Sequence, residues 1–407
     1  MLISFRNAMM AGRRLPYDAE LEYLESTGTQ YILVPVVQTA NTHINCRAAI
    51  TSTSTNWSYI FSYSSPSILG IRFSNASNVK AICYAGSMQV SQLDIGTAHT
   101  YDFVVAGTGT YPPCAVKVDD TYIGNIYGRG IDGTGPLSFF AYADGRYNAS
   151  CRIYSAYVSN GTNVADFIPV RVGSVGYMYD RVSGKLFGNA GTGDFVLGPD
   201  VVPVEYIEST GTQWIDTGIL PSIPCRIKSR VSFAKTDVYQ GGVACGWGDD
   251  NTCFATPMMF SSGKPTMATP GIGYKFFDIG YIAGELLDSE MELDNEGSGY
   301  FKINGTPMSV SRWSVTKPIT ENILLGGMGH FNTSFDKYPF LMGAGGRIYF
   351  ANIKCGSNKG IFIPVRVGTG STWEGAMMDV LTRRIYRNAG TGAFTYGNDL
   401  KYPIPAS

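Results

Sequence analysis

The stretch Leu21-Glu22-Tyr23-Leu24-Glu25-Ser26-Thr27-Gly28-Thr29-Gln30-Tyr31-Ile32 returns 183 residues later as Val204-Glu205-Tyr206-Ile207-Glu208-Ser209-Thr210-Gly211-Thr212-Gln213-Trp214-Ile215. Two further matches follow in the same order. Phe167-Ile168-Pro169-Val170-Arg171-Val172-Gly173 recurs as Phe362-Ile363-Pro364-Val365-Arg366-Val367-Gly368, 195 residues on, and Asn189-Ala190-Gly191-Thr192-Gly193-Asp194-Phe195 recurs as Asn388-Ala389-Gly390-Thr391-Gly392-Ala393-Phe394, 199 residues on. Matched segments in fixed order mean that the chain holds two copies of one domain, so its fold must be one that each half completes for itself. The drift from 183 to 199 is a net insertion of 16 residues in the second copy. It falls between matched segments, where loops absorb length at small entropic cost.

The pattern inside each copy is that of strands. Arg152-Ile153-Tyr154-Ser155-Ala156-Tyr157-Val158 and its counterpart Arg347-Ile348-Tyr349-Phe350-Ala351-Asn352-Ile353 alternate between apolar and polar residues, as a strand covered on one side does. Val116-Lys117-Val118-Asp119-Asp120-Thr121 corresponds to Phe301-Lys302-Ile303-Asn304-Gly305-Thr306, and Asn-Gly between alternating runs predicts a two-residue hairpin. Neither half sustains apolar residues at helical spacing across a dozen positions. With 49 Gly, 26 Tyr and 21 Phe, the composition also favours strands joined by turns. The expected fold class is all-β, two tandem antiparallel β-sandwiches. The domains are expected at 16–200 and 201–407, after a short arm at 1–15. Two prolines in Leu197-Gly198-Pro199-Asp200-Val201-Val202-Pro203 stiffen the junction, so the copies are expected to sit nearly fixed.

Charge and hydropathy narrow the function classes. Charged residues are 15% of the chain and the formal net charge is -1, so no overall field draws nucleic acid or an anionic membrane surface. No apolar run reaches the roughly 18 residues of a spanning helix, so no membrane insertion is expected. The arm, Met1 to Arg14, lacks the uninterrupted apolar core of a cleaved secretory signal, and its apolar and basic residues make it either a frayed end or a docking arm. The eight cysteines, Cys46, Cys83, Cys114, Cys151, Cys225, Cys245, Cys253 and Cys355, show no C-x-x-C pair. A zinc site is therefore not indicated. Only Cys46 and Cys225, each followed by Arg, fall at comparable places, and buried free thiols are the expectation, as suits a chain made in a reducing cytoplasm.

The three recurring segments resemble the laminin-G-like, concanavalin-A-like jelly-roll domains common in structural proteins of gut bacteriophages. The resemblance spans Leu21 to Phe195 and Val204 to Phe394. It implies a jelly-roll sandwich and a virion protein, of a head or tail fibre or decoration type, made in the bacterial host cytoplasm. It also implies that the arm, through Phe5, Arg6, Arg13 and Arg14, anchors the chain to other virion proteins. A homo-oligomer, with a trimer as the favoured order, is expected by the same analogy. A scaffold signature transfers a fold and a setting and carries no catalytic set.

Glu292-Leu293-Asp294-Asn295-Glu296 has the Glu-x-Asp-x-Glu spacing of concanavalin-A-like glycosidases, but Glu296 is expected at a Gly-rich turn, and residues four apart on a strand lie about 13 Å apart, well beyond the roughly 5 Å of a retaining pair. The first copy offers Asp102-Phe103-Val104-Val105-Ala106 there. His43, His99 and His330 have no nucleophile elbow near them and are expected in surface loops. Gly326-Gly327-Met328-Gly329 and Gly343-Ala344-Gly345-Gly346 lack the Lys and the helix of a phosphate cradle and are expected as turns or bulges. Asp249-Asp250-Asn251 and Asp119-Asp120 offer too few oxygens for Ca²⁺, the one cofactor considered. No enzyme is expected. Sugar recognition needs an exposed aromatic plate beside amide and carboxylate groups. Asn56, Trp57 and Tyr59, with Trp247, Asp249, Asp250 and Asn251, are the glycan-binding candidates. The favoured function is host-surface or glycan adhesion, the alternative is a purely architectural virion component, and a carbohydrate-active enzyme is the least favoured reading.

Overall fold

The computed structural model describes residues 15–400 apart from 54–56, 64–68, 75–77, 84–85, 91–93, 106–112, 128–134, 143–144, 239, 246–253, 260–262, 270–272, 297, 311–320 and 328–340. The chain divides into two compact units, Met1–Val201 and Val202–Ser407. Each is an antiparallel β-sandwich, and among the described residues there is no helix.

In the first unit the larger sheet runs Thr121–Tyr127, Pro113–Val118, His99–Val105, His43–Ile50, Ser150–Ser159. Leu24–Thr27 and Val164–Val172 then share the far side of Ser150–Ser159. The second unit repeats this order with Thr306–Val310, Gly299–Ile303, Leu287–Leu293, Cys225–Ser232 and Arg347–Cys355, followed by Ile207–Glu208 and Asn358–Thr369. The smaller sheet of the first unit is Ile32–Val37, Pro136–Phe139, Ser58–Ser62, Leu69–Phe73, Val79–Cys83, Gly86–Gln89. Its counterpart is Ile215–Asp216, Leu324–Leu325, Val243–Cys245, Phe254–Met259, Pro265–Thr269, Gly273–Phe276. The chain passes from sheet to sheet several times, and the last strands of each unit complete the larger sheet.

Period-2 alternation sorts the residues. Ile44, Cys46 and Ala48 of one strand and Tyr101, Phe103 and Val105 of the next face inward, and all are buried. They meet Phe61, Ile71, Phe73, Ala81 and Cys83 of the smaller sheet in one core. Phe61 meets Phe103 edge-on at 5.6 Å across the sandwich, and Phe139 meets Phe167 at 5.4 Å. Such contacts add about 0.5–1.5 kcal/mol each to the burial itself.

The predicted hairpin is present in both copies. Asp119 and Asp120 have φ of 49° and 64°, and Asn304 and Gly305 have 46° and 85°, so both turns put two residues in the left-handed region. This is the two-residue geometry whose twist matches the flanking strands.

The segments that recur at the two ends of each copy are hydrogen-bonded to each other. Asn189 Oδ1 accepts the backbone N–H groups of Tyr31 (3.1 Å) and Gly191 (2.8 Å), and Thr29 Oγ1 donates to the Thr192 carbonyl (2.9 Å). The buried Gln30 accepts from Thr27 N–H through Oε1 (2.9 Å) and donates through Nε2 to the Asp194 carbonyl (3.0 Å). In the second unit Asn388 accepts from Trp214 (3.1 Å) and Gly390 (2.8 Å), and Thr212 Oγ1 donates to the Thr391 carbonyl (2.8 Å). A Cβ at Gly191 or Gly390 would run into the carbonyl of Thr29 or Thr212. Ser-Thr-Gly-Thr-Gln and Asn-Ala-Gly-Thr-Gly are thus two halves of one clasp. Their recurrence is explained by closure of the domain.

Several expectations are corrected by register. Cys225 and Cys355, directly opposed on neighbouring strands, are joined as a disulfide, so they are not free thiols. Cys46, Cys83, Cys114 and Cys151 are free and buried, as expected, Cys245 is buried, and Cys253 lies outside the described residues. Cys46 pairs with Ala156 and Ser229 with Ala351, so Ser229, not Cys225, stands where Cys46 does. His43 and His99 lie on strands, each bound to a carboxylate at 2.6 Å, Asp102 and Asp119 respectively. They are not loop residues: His43 reaches Asp102 diagonally on the neighbouring strand, and His99 reaches Asp119 in the hairpin turn. His330 lies outside the described residues.

Candidate functional site

Of the aromatic candidates, Trp57 and Tyr59 are described, and they lie in one cluster on the outer face of the first unit's smaller sheet. Leu69–Phe73 turns Leu69, Ile71 and Phe73 to the core and Arg72 away from it, while Val79–Cys83 turns Val79, Ala81 and Cys83 inward and Lys80 outward. Register places Tyr59 opposite Arg72, Arg72 opposite Lys80, and Lys80 opposite Gln89, a row running across four strands.

Trp57 is half-buried at the head of this row. Its indole lies beneath the Arg72 guanidinium, 4.2 Å from the ring centroid, and the Lys80 ammonium, 5.5 Å away. Both distances are within cation–π range. Tyr59 is only 6% exposed, so it presents no free face to a sugar. As one of the glycan-binding candidates, Tyr59 therefore packs beneath the cluster and does not face outward. It is buried because Tyr142 and Tyr147 pack against it. Tyr59 N–H donates to the Tyr147 carbonyl (3.0 Å), and the Tyr59 ring packs on Tyr142 at 5.3 Å and Tyr147 at 6.3 Å. Burial pushes the Tyr59 phenol up, against a hydrogen bond with Arg72 that lowers it. Tyr147 itself, at φ 55°, is 52% exposed. It offers the outward aromatic surface that Tyr59 does not.

The cluster is chemically an aromatic surface edged by two cations. Sequence reading reached Trp57 and Tyr59 and missed Arg72, Lys80, Tyr142 and Tyr147. Arg72 and Lys80 carry a usable signal, a lone charge at the outward position of an apolar strand. Tyr142 and Tyr147 carry none, because they meet Tyr59 from 83 or more residues away.

The remaining candidates separate. Asn56, Trp247, Asp249, Asp250 and Asn251, and the arm residues Phe5, Arg6, Arg13 and Arg14, lie outside the described residues. Glu292 lies 3.3 Å from Arg226 Nε and accepts from Tyr300 O–H (3.2 Å), whereas Glu296 sits in the following turn, where Asp294 caps its N–H at 2.8 Å. The two carboxylates belong to different local structures. Glu290, not Glu292, stands where Asp102 does, since Asn45 pairs with Asp102 and Lys228 with Glu290 in otherwise matching registers. Asp119 accepts from Thr100 N–H (2.8 Å) and contacts His99, so its carboxylate serves the hairpin. Among the described residues no group of three or more His, Cys, Asp or Glu is gathered as a metal site requires.

The glycine-rich piece near residue 345 forms a turn as expected, with Gly345 at φ 83°. No family model matches the chain, and no curated protein matches it. Among solved structures, domains LG4-5 of the mouse laminin α1 chain are similar at 9% identity, over 86% of this chain and 94% of that one, with a TM-score of 0.30. The description of the chain as a tandem of antiparallel β-sandwiches rests on the strand pairings themselves.

Proposed function

We propose that this chain is a structural protein of a bacteriophage particle, a fibre or decoration component, that displays its two sandwiches and binds host-surface carbohydrate through the first. The observation that carries the binding role is the outward cluster of Trp57, Arg72, Lys80 and Tyr147. Sugars offer apolar ring faces and hydroxyls, which aromatic surface and long polar side chains complement. The arm through Phe5, Arg6, Arg13 and Arg14 joins the chain to other virion proteins, in an oligomer that we take as a trimer. The reading is of binding rather than catalysis, in keeping with Glu292 on a strand and Glu296 in the turn after it.

A purely architectural role is the second reading. It is favoured by the clasp, because the residues best matched between the copies are those that close the scaffold. Two measurements separate the readings. A glycan array probed with the whole chain and with Trp57→Ala reports binding, and cryo-electron microscopy of particles reports location. Hits lost in Trp57→Ala, with the first unit projecting outward, support adhesion. An empty array with the first unit packed among other virion proteins supports architecture.

A further inference from the structure

We infer that the Trp57 cluster selects acidic saccharides, its two cations receiving the carboxylate or sulfate of the sugar. This rests on the carbohydrate reading above and specifies its ligand class. Arg72 and Lys80 are directly opposed on neighbouring strands and lie over the same indole ring. Like charges so placed repel, and the sheet is less stable for it. An anion lying between them removes that repulsion.

Several other described arginines stand beside a carboxylate. Arg152 pairs with Glu25, Arg171 with Asp200, Arg226 with Glu290, Arg230 with Asp288, Arg347 with Glu208 and Arg366 with Asp399. Among the described residues no carboxylate pairs with Arg72 or Lys80. The guanidinium has the Tyr59 phenol as its hydrogen-bond partner, and its Nε is buried with none. Stacking on Trp57 holds the planar group in one orientation, which lowers the entropy lost when it binds an anion, and its fork geometry suits two acceptor oxygens. Tyr147, beside Tyr59 and 52% exposed, supplies apolar surface for the ring that bears the anion.

Among the described residues, the pair of opposed cations occurs in the first copy. The corresponding strands of the second unit, Phe254–Met259 and Pro265–Thr269, contain no Lys or Arg. With a net charge of -1 the protein has no general attraction for polyanions, so a preference for acidic sugars would arise locally.

The test uses the full chain on an array of neutral, uronate-bearing, sialylated and sulfated glycans. The strongest acidic ligand is then compared by calorimetry with its carboxyl-reduced or desulfated form. The expected result is hits concentrated among acidic glycans, at least about tenfold tighter binding of the acidic form, and loss of that preference in Lys80→Gln and Arg72→Gln. Lys80→Gln, which removes the ammonium from the outward face, reads the effect even if Arg72→Gln unfolds. Inorganic sulfate as a competitor distinguishes simple anion capture, in which it displaces the glycan as well as a sulfated sugar does, and that outcome overturns the inference. Neutral glycans bound equally well, with no change in Lys80→Gln, would overturn it while leaving carbohydrate binding intact. No hits of any kind would overturn both.

Discussion

Asn189 Oδ1 accepts the backbone N–H of Tyr31 at 3.1 Å, a bond between residues 158 apart that ties the last segment of the first copy to its first. Asn388 does the same for Trp214, also at 3.1 Å, across 174 residues. Removing either amide leaves two backbone donors without their acceptor. Asn189→Ala should destabilise the first unit, and Asn388→Ala the second, by about 1–3 kcal/mol each. Urea unfolding followed by hydrogen exchange, which assigns the loss to one unit, checks both. Equal loss in both units from one substitution would contradict the account.

The two hairpins predict a stabilising change. Asp120 holds φ 64° where the second copy has Gly305 at 85°. A non-glycine residue in the left-handed region is strained, and glycine is not. Asp120→Gly should stabilise the first unit by roughly 0.5–1 kcal/mol. Asp119 must be kept, since it accepts from Thr100 and contacts His99. A lower melting temperature for Asp120→Gly would show that Asp120 does more than turn the chain.

The disulfide predicts a stability difference that depends on redox state. Cys225 and Cys355 close a loop across 130 residues. On the loop-entropy account, opening it costs up to about 4–5 kcal/mol, and less where strain offsets the gain. Dithiothreitol, or the double substitution to serine, should lower the melting temperature of the second unit and leave the first unchanged. Peptide mapping without reductant should recover one linked pair containing these two cysteines.

Acid should destabilise the protein through specific carboxylates. Asp399 is held below the usual carboxylate range by hydrogen bonds from Arg366, which outweigh burial. For Asp102 burial acts upward, but hydrogen bonds from His43 and Asn45 prevail and lower it, and for Glu290 those from Arg226 and Lys228 prevail over burial in the same way. A carboxylate depressed in the folded state contributes stability that is present above its unfolded value, about 3.9 for Asp and 4.3 for Glu, and is lost as pH falls through the folded value. Melting temperature should therefore hold from pH 7 to about 5 and drop below about 4. Asp399→Asn should shallow that drop. An unchanged acid profile in Asp399→Asn would remove it from the set.

The repeat, the all-β class and the Asp119-Asp120 and Asn304-Gly305 turns were determined by the sequence alone, because each rests on local order: matched segments, period-2 alternation and residues tolerant of positive φ. Trp57 stands out in the sequence as a tryptophan beside polar neighbours, and the structure adds the Arg72 and Lys80 groups over its ring. What only the tertiary structure decided is how distant segments meet. The clasp between Gln30 and Asp194, the disulfide that replaces expected free thiols at Cys225 and Cys355, the register that sets Ser229 where Cys46 stands, and the closing of Tyr142 and Tyr147 over Tyr59 all join residues across strands that are remote in the chain. Pairing register and loop closure depend on burying both inner faces at once, and no local pattern carries that information.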